Sequence, residues 1–500
     1  MTTVLTKPPT RATTDTPSTD NRRWWILAVL GVAQLMVVLD ATVVNIALPT
    51  AQIDLGFSDS SRQWVVTAYA LAFGSLLLIG GRIADVFGRK WVLVVGLAGF
   101  ALASALGGAA PNIGLLITAR AVQGVFAALL SPALLSILTT TFTEPRDRAK
   151  AFGVFGAIAG AGASVGLLLG GFLTEYTSWR WTMFVNLIFA ALALVGALML
   201  LTHTRVTNRP KLDIPGTLVV SAGLFSLVYG FSHADTAGWG NTVTVGFLVA
   251  AGVLLTVFVA MQFRSATPLL PMRVLLERNR GGAYLAMFVS SAGMFAIFLF
   301  LTYYLQGSLR YTAVKTGVAF LPMTGLLVVV SAVVSTVLSP RVSPRILIPS
   351  GMVITAGGLV VLTNIGLQNS YTTTVLPALL AIGVGLGLVF ASGFALGTFG
   401  VRADDSGVAS ATVNTMQQIG GSVGTALLNT IAASAASTYV ASHLTSEPLT
   451  LLKANAALES YTTAFWWAAG IFAFGAVLSA IVLRSGIPQL DPDAAPAIGH

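Results

Sequence analysis

Residues 80–93 read GGRIADVFGRKWVL, a short charged patch set between two long apolar runs, and its reading decides the fold. The flanking runs each hold about twenty mostly apolar residues, enough to cross the hydrocarbon core of a bilayer as a helix. Gly81 and Gly88 permit a tight turn at the membrane surface, where Asp85 and the pair Arg89 and Lys90 supply opposite charges. Arg89 and Lys90 also have a plainer reading, as ordinary basic residues of a cytoplasmic loop. On either reading the patch joins two membrane spans.

The same alternation continues along all 500 residues. Hydrophobic residues make up 55% of the chain, charged residues 9%, and the mean hydropathy is +0.84. A soluble domain carries about 25% charged residues, so most of this surface must face lipid. Fourteen apolar runs qualify as spans, at about 24–47, 61–80, 91–109, 113–138, 149–173, 181–202, 216–233, 243–263, 281–305, 316–338, 346–365, 373–398, 407–432 and 461–484. The seventh is short. An even count places both termini on one side, and of the 27 Lys and Arg, 21 fall in the segments on that side, 5 on the other, and Arg120 within a helix. Positive charge marks the cytoplasmic face, so both termini are expected there. The net charge of +9 thus reports topology, and no nucleic-acid partner is expected.

Other classes find no support. Cysteine is absent and His203, His233, His443 and His500 match no ligand spacing, so no metal or other cofactor is expected. No Walker loop and no Ser/His/Asp constellation appears, and the longest external connection, about 433–460, is too small for a catalytic domain. The expectation is therefore a protein that works inside the membrane and is not an enzyme.

Two charges lie deep in the apolar runs. Asp40 sits in LDATVVNIALP, residues 39–49, far inside the first span. A charge at that depth costs at least ~2.5 kcal/mol, so it needs a purpose. It is either a structural acid hydrogen-bonded by its neighbours, Asn45 on its own helix among them, or a group that loads and releases a proton. As a proton carrier it could also be the counter-charge of a cationic substrate. Arg120 lies inside the fourth span and cannot readily lose its proton, so it needs a partner. Asp40 is the deep acid available, although snorkelling or bonds to carbonyls would also satisfy an Arg.

The patch at 80–93 matches the G-x-L-A-D-x-x-G-R-K signature of the major facilitator superfamily, with Ile83 in place of Leu. LDATVVNIALP resembles the first-helix signature of its fourteen-helix drug:proton antiporter branch. Residues 116–128, LITARAVQGVFAA, are similar to the family's L-x-x-x-R-x-x-Q-G motif through Leu116, Arg120, Gln123 and Gly124. SWRWTMFVN (178–186), YLQGSLRYTAVKTGVAFLP (304–322) and NTMQQIGGSVGTAL (414–427) resemble that branch too. In the fifth span Gly162, Gly166, Gly170 and Gly171 fit its antiporter motif, but Leu167 stands where Pro is common. The proline that often follows Asn186 is also missing.

The resemblance implies an all-α membrane protein of two six-helix bundles with two helices inserted between them. The divisions are a tail at 1–21, a first bundle at 22–202, a linker pair at 203–264, a second bundle at 265–484 and a tail at 485–500. SPRVSPRILIPSG (339–351) occupies the place in the second half that GGRIADVFGRK holds in the first, as a degenerate copy. Such halves rock about a midplane site. Asp40 and Arg120 would couple protons, and Asp85 would face the N-terminus of the helix beginning near Ser406 and Gly407, latching the halves in the outward-open state. Candidates for the substrate wall are Asn45, Phe298, Tyr303, Tyr304, Asn414 and Gln417, with Phe295 and Phe300 nearby.

The implied activity is proton-driven export of hydrophobic or amphipathic drugs across a bacterial inner membrane. Its partners would be a small hydrophobic or cationic substrate, protons and membrane lipid, with the proton gradient as the energy source, and a monomer is expected. Export of one endogenous metabolite, uptake by symport, and a sensor or scaffold that moves nothing are the alternatives.

Overall fold

A computed structural model describes residues 18–487 of the chain except 58, 203–212, 266–267, 368–369, 403–404 and 445–447. Fourteen long helices carry it: α1 (Ser18–Leu55), α2 (Asp59–Phe87), α3 (Arg89–Gly108), α4 (Ile113–Thr141), α5 (Pro145–Tyr176), α6 (Trp181–Leu200), α7 (Ile214–Ala237), α8 (Thr242–Arg264), α9 (Arg278–Tyr303), α10 (Ala313–Val333), α11 (Pro344–Leu362), α12 (Leu376–Gly397), α13 (Ser406–His443) and α14 (Leu449–Val482). Thirteen of them hold a described stretch apolar and long enough to span a membrane. The other is α5, a continuous helix of 32 residues whose described apolar portion is Val165–Tyr176. The seventh, short in hydropathy, forms a helix of 24 residues. Of the expected tails, all but residues 18–21 and 485–487 lie outside the described residues, and 18–21 already belong to α1.

The external connection at 433–460, whose form the sequence leaves open between a folded hairpin and a loose link, is mostly helix among the described residues. α13 runs for 38 residues and α14 for 34. At ~1.5 Å per residue these measure about 57 and 51 Å, against a hydrocarbon core of ~30 Å. The pair therefore continues past the bilayer as a helical hairpin. Hydropathy marked where the membrane ends, whereas AASAASTYVASH, rich in Ala, keeps its helix in water.

Between α2 and α3 the chain turns on Gly88 alone, whose φ of 92° is a conformation that side chains with a Cβ rarely adopt. Basic residues on the cytoplasmic-assigned face cap the last helix of each half. Arg22 Nη2 donates to Leu200 O at 2.8 Å and Lys90 Nζ to Leu201 O at 2.5 Å, closing α6. In the second half Arg278 Nη2 donates to Ile481 O and Arg345 Nε to Ala480 O, both at 2.8 Å, closing α14. Cations at helix C-termini satisfy carbonyls that have no helical partner and complement the helix dipole.

α1 to α6 pack into one bundle and α9 to α14 into the other. They meet along two seams, α2 and α4 against α13, and α5 against α10 and α12. The inserted α7 and α8 pack on each other, and α7 lies against α2 and α13. It touches both halves: Ser232 and Thr67 Oγ atoms are 3.0 Å apart, and Trp239 Nε1, just beyond α7, donates to Thr430 Oγ1 at 2.9 Å. α8 presents exposed Val249, Val253 and Val257 at four-residue spacing, a stripe that suits lipid.

Candidate functional site

α1, α3, α4 and α6 converge on Asp40, which is 0% exposed. Arg120, 1% exposed, donates from Nη1 to Asp40 Oδ2 at 2.5 Å. The other carboxylate oxygen, Oδ1, accepts from Gln123 Nε2 at 3.0 Å and from Asn186 Nδ2 at 2.7 Å. Gln123 Nε2 also donates to Ser104 Oγ at 2.6 Å. Arg120 is held besides by Gln123 Oε1 at 2.9 Å, the Val65 carbonyl at 3.3 Å, and the face of Tyr69, 4.4 Å from the guanidinium carbon. Arg120 and Gln123, three residues apart on α4, share one helical face and so reach the same carboxylate.

Burying two charges costs several kcal/mol per ion, which mutual attraction offsets only when their remaining donors and acceptors are also satisfied. This cage meets most of that demand. Two polar atoms remain without a hydrogen-bond partner among the described residues, the Tyr69 hydroxyl and Asn186 Oδ1. Gly124, beside Gln123, permits the approach of α2, since a Cβ there would sit 2.5 Å from the Tyr69 carbonyl oxygen.

The glycines of α5 work on another face of α1. A Cβ on Gly162 would meet Val38 Cγ1 at 2.6 Å, one on Gly166 would collide with Thr42 Oγ1, and one on Gly170 would lie 3.1 Å from the Val43 Cα. Gly171 is also buried. These residues bring two helix backbones together beside Asp40 without touching its carboxylate. Leu167, buried where the family often has Pro, lies in an unbroken helix.

The patch at 80–93 divides its labour. Gly81 and Gly407 face each other across the seam: a Cβ on Gly81 would lie 2.7 Å from the Gly407 carbonyl oxygen, and one on Gly407 2.6 Å from Asp85 Oδ1. The Asp85 side chain is 2% exposed and stands at the start of α13, with Arg89 Nη2 at 3.9 Å. A helix N-terminus favours an anion there. Gly88 makes the turn, and Lys90 is committed to the C-terminus of α6. The other seam is tied on the same face by Arg148 Nη2, which donates to Thr398 O at 2.8 Å, and by an edge-to-face contact of Phe155 with Phe394, 5.9 Å between centroids.

The substrate-wall candidates fall in different surroundings. Phe298 is half-buried against Phe320, with 5.3 Å between rings, whereas Phe300 is buried in the second-half core. Tyr304 is 0% exposed and its hydroxyl donates to Gly366 O at 2.9 Å, while the adjacent Tyr303 is 49% exposed. Asn414 Nδ2 donates to Ser410 O of its own helix at 3.0 Å, and Gln417 is half-buried. The side chains of Asn45 and Phe295 lie outside the described residues.

Sequence reading missed Tyr69, Ser104 and the role of Asn186. Asn186 was legible as a lone amide in an apolar run. Ser104, inside ALASALGG, gave no signal.

Fourteen long helices in two bundles with an inserted pair, thirteen of them with a described stretch fit to span a membrane, and a buried ion pair in the first bundle define a multi-pass membrane protein. Residues 30–425 match the Major Facilitator Superfamily, and the chain belongs to that family. It is similar to puromycin resistance protein pur8 of Streptomyces alboniger, 47% identical over 474 residues that cover 94% of this chain and 93% of that one. It is also similar to cephamycin export protein CmcT of Amycolatopsis lactamdurans, 37% identical over 413 residues, 81% of this chain and 84% of the other. Among solved structures, the human organic anion transporter MFSD10 (TETRAN) shares the fold with a TM-score of 0.64 at 13% identity, covering 91% of this chain and 99% of that one. The protein is accordingly a multi-pass protein of the bacterial inner membrane.

Proposed function

We propose that this protein exports hydrophobic or amphipathic antibiotics from the cytoplasm in exchange for protons, by alternating access. The observation that carries the proposal is the sealed Asp40–Arg120 pair, the one place in the described spans where an acid and a base meet at depth. Asp40 takes up a proton from the outside and releases it to the cytoplasm. When Asp40 is protonated, Arg120 keeps Gln123 Oε1, the Val65 carbonyl and the Tyr69 ring, so the guanidinium is never left bare. Asp85 against the α13 N-terminus and Arg148 against Thr398 hold the cytoplasmic ends together in the outward-facing state. Antibiotics are the supported substrate class because the relatives cited above are named for puromycin resistance and cephamycin export.

The test uses inverted membrane vesicles with an acid lumen, followed by lumenal accumulation of puromycin and, separately, of ethidium. Accumulation that collapses when a protonophore is added, and that Asp40→Asn abolishes at wild-type expression, is the expected result. Transport insensitive to the gradient, or normal transport by Asp40→Asn, overturns the proton-coupled reading. Puromycin without ethidium would define a dedicated exporter, the narrower form of the same function, which the puromycin-named relative favours.

A further inference from the structure

Asn186 holds Asp40 with one end of its amide and leaves the other end idle. Its Nδ2 donates to Asp40 Oδ1 at 2.7 Å, while its Oδ1 is buried without a hydrogen-bond partner. The residue is 0% exposed. A buried acceptor left idle in a packed site calls for an explanation, because native structures pair nearly all such atoms. The orientation of the amide is set by its neighbour: a carboxylate only accepts, so the NH2 end must point at it.

Protonation of Asp40 inverts that demand. A carboxylic acid has an O–H to donate, and the partners now facing Oδ1, Gln123 Nε2 and Asn186 Nδ2, are both donors. Gln123 cannot turn to help, since its Oε1 is engaged by Arg120 at 2.9 Å and its Nε2 by Ser104 at 2.6 Å. Asn186 has no such commitment at its oxygen. We propose that Asn186 is the two-way positioning residue of the proton site: it donates from Nδ2 to the charged carboxylate and, after a half-turn of its amide, accepts through Oδ1 the hydrogen of the protonated acid. No bond of Asn186 is made or broken; the proton resides on an Asp40 oxygen and returns to water when access alternates.

Among the described residues the charged or titratable groups facing Asp40 are Arg120 from α4 and Tyr69 from α2. α3 and α6 present neutral Ser104 and Asn186, and α5 presents glycines to the other side of α1. Arg120 stays charged throughout and can only donate. A neutral group that both donates and accepts is what a titrating acid in a dry site requires in both of its states. The inference rests on proton coupling at Asp40.

Infrared difference spectra of the reconstituted full-length protein between alkaline and acid pH provide the test, alongside transport. Wild type should gain a carboxylic-acid C=O band that Asp40→Asn lacks; if no such band exists, the proton-coupled reading itself fails. Given that band, Asn186→Leu, similar in shape, should move it to higher frequency, because the acid loses its acceptor. Gradient-driven transport should fall about tenfold or more, the change that matches one lost buried hydrogen bond. Asn186→Gln, which keeps an amide, should retain a band at lower frequency than the Leu variant and recover part of the transport. A band unmoved by Asn186→Leu overturns the proposal. Should the Leu variant fail to assemble, wild type labelled with 13C at asparagine decides alone: acidification should lower the frequency of an amide C=O as Oδ1 gains its bond, and no change there overturns the proposal equally.

Discussion

In the first half Arg22 and Lys90 close the C-terminus of α6, and in the second Arg278 and Arg345 close that of α14, helix for helix at the same places. Buried charge is distributed otherwise. Among the described residues the buried charged side chains are Asp40, Arg82, Asp85 and Arg120 in the first half and Asp405 in the second. Asp405 sits at the start of α13, with Arg273 Nη2 at 2.8 Å. The two halves thus share the charges that end helices, and among the described residues only the first carries buried charges within its helices. A shared scaffold with one loaded half is what the proposed exchange of unlike cargoes needs: on that proposal one bundle would respond to the proton, and the seams would transmit the response to the other.

The sharpest break of this comparison is Arg120→Ala. It leaves Asp40 buried with its main partner gone, which costs about 3–5 kcal/mol when a buried pair is broken on one side. Thermal unfolding in detergent should register that loss as a large fall in midpoint. Adding Asp40→Asn to Arg120→Ala should recover much of the stability and none of the gradient-driven transport. In the second half Asn414→Ala removes a bond within one helix and should cost about 1 kcal/mol or less. Equal losses from the two halves would mean that the ion pair is ordinary packing.

The next effect is at the seams. A Cβ on Gly81 would meet the Gly407 carbonyl oxygen and the Ala411 Cβ, each at 2.7 Å, so Gly81→Val forces α2 and α13 apart. A Cβ on Gly153, on the α5 seam, would meet the Ser335 side chain, whose Cβ lies at 2.6 Å, with the nearest backbone atom, Ser331 O, at 3.1 Å against 2.7 Å at Gly81, so Gly153→Val should be milder. The native chain has no cysteine, and a single reporter on the cytoplasmic side of either seam can be labelled without background. Gly81→Val should raise cytoplasmic labelling and lower transport severalfold, Gly153→Val by less.

Much of this was legible in the sequence, for physical reasons that differ by residue. Fourteen spans could be counted because lipid demands long apolar helices, and their orientation followed from basic residues that also serve as caps. Asp40 and Arg120 stood out because charge is rare and costly at depth. Their cage did not: Ser104 and Tyr69 are common residues in apolar helices, and only the crossing of α2, α3 and α4 gives them a role. The substrate wall was the least legible part, since Phe and Tyr suit lipid, core and cavity alike, and Tyr303 and Tyr304, neighbours in sequence, divide between exposed and fully buried. The hairpin of α13 and α14 was not legible, a folded hairpin and a loose connection at 433–460 being equally open, because hydropathy reports the membrane and not the helix.

The smallest expected effect tests the shared part of the scaffold. Lys90→Ala and Arg345→Ala each remove one cation from the C-terminus of the last helix in its half. Such contacts contribute about 0.3–1 kcal/mol when exposed, and up to ~2 kcal/mol when partly buried. If the halves are built alike at their ends, both substitutions should lower the unfolding midpoint by similar small amounts and leave the dependence of transport on the pH gradient unchanged. Lys90 belongs to the patch whose other members form the α2–α13 seam, so a structural account and a gating account of it diverge here. A transport loss from Lys90→Ala well beyond that from Arg345→Ala, at equal stability, would assign Lys90 to the seam and end the equivalence of the two caps.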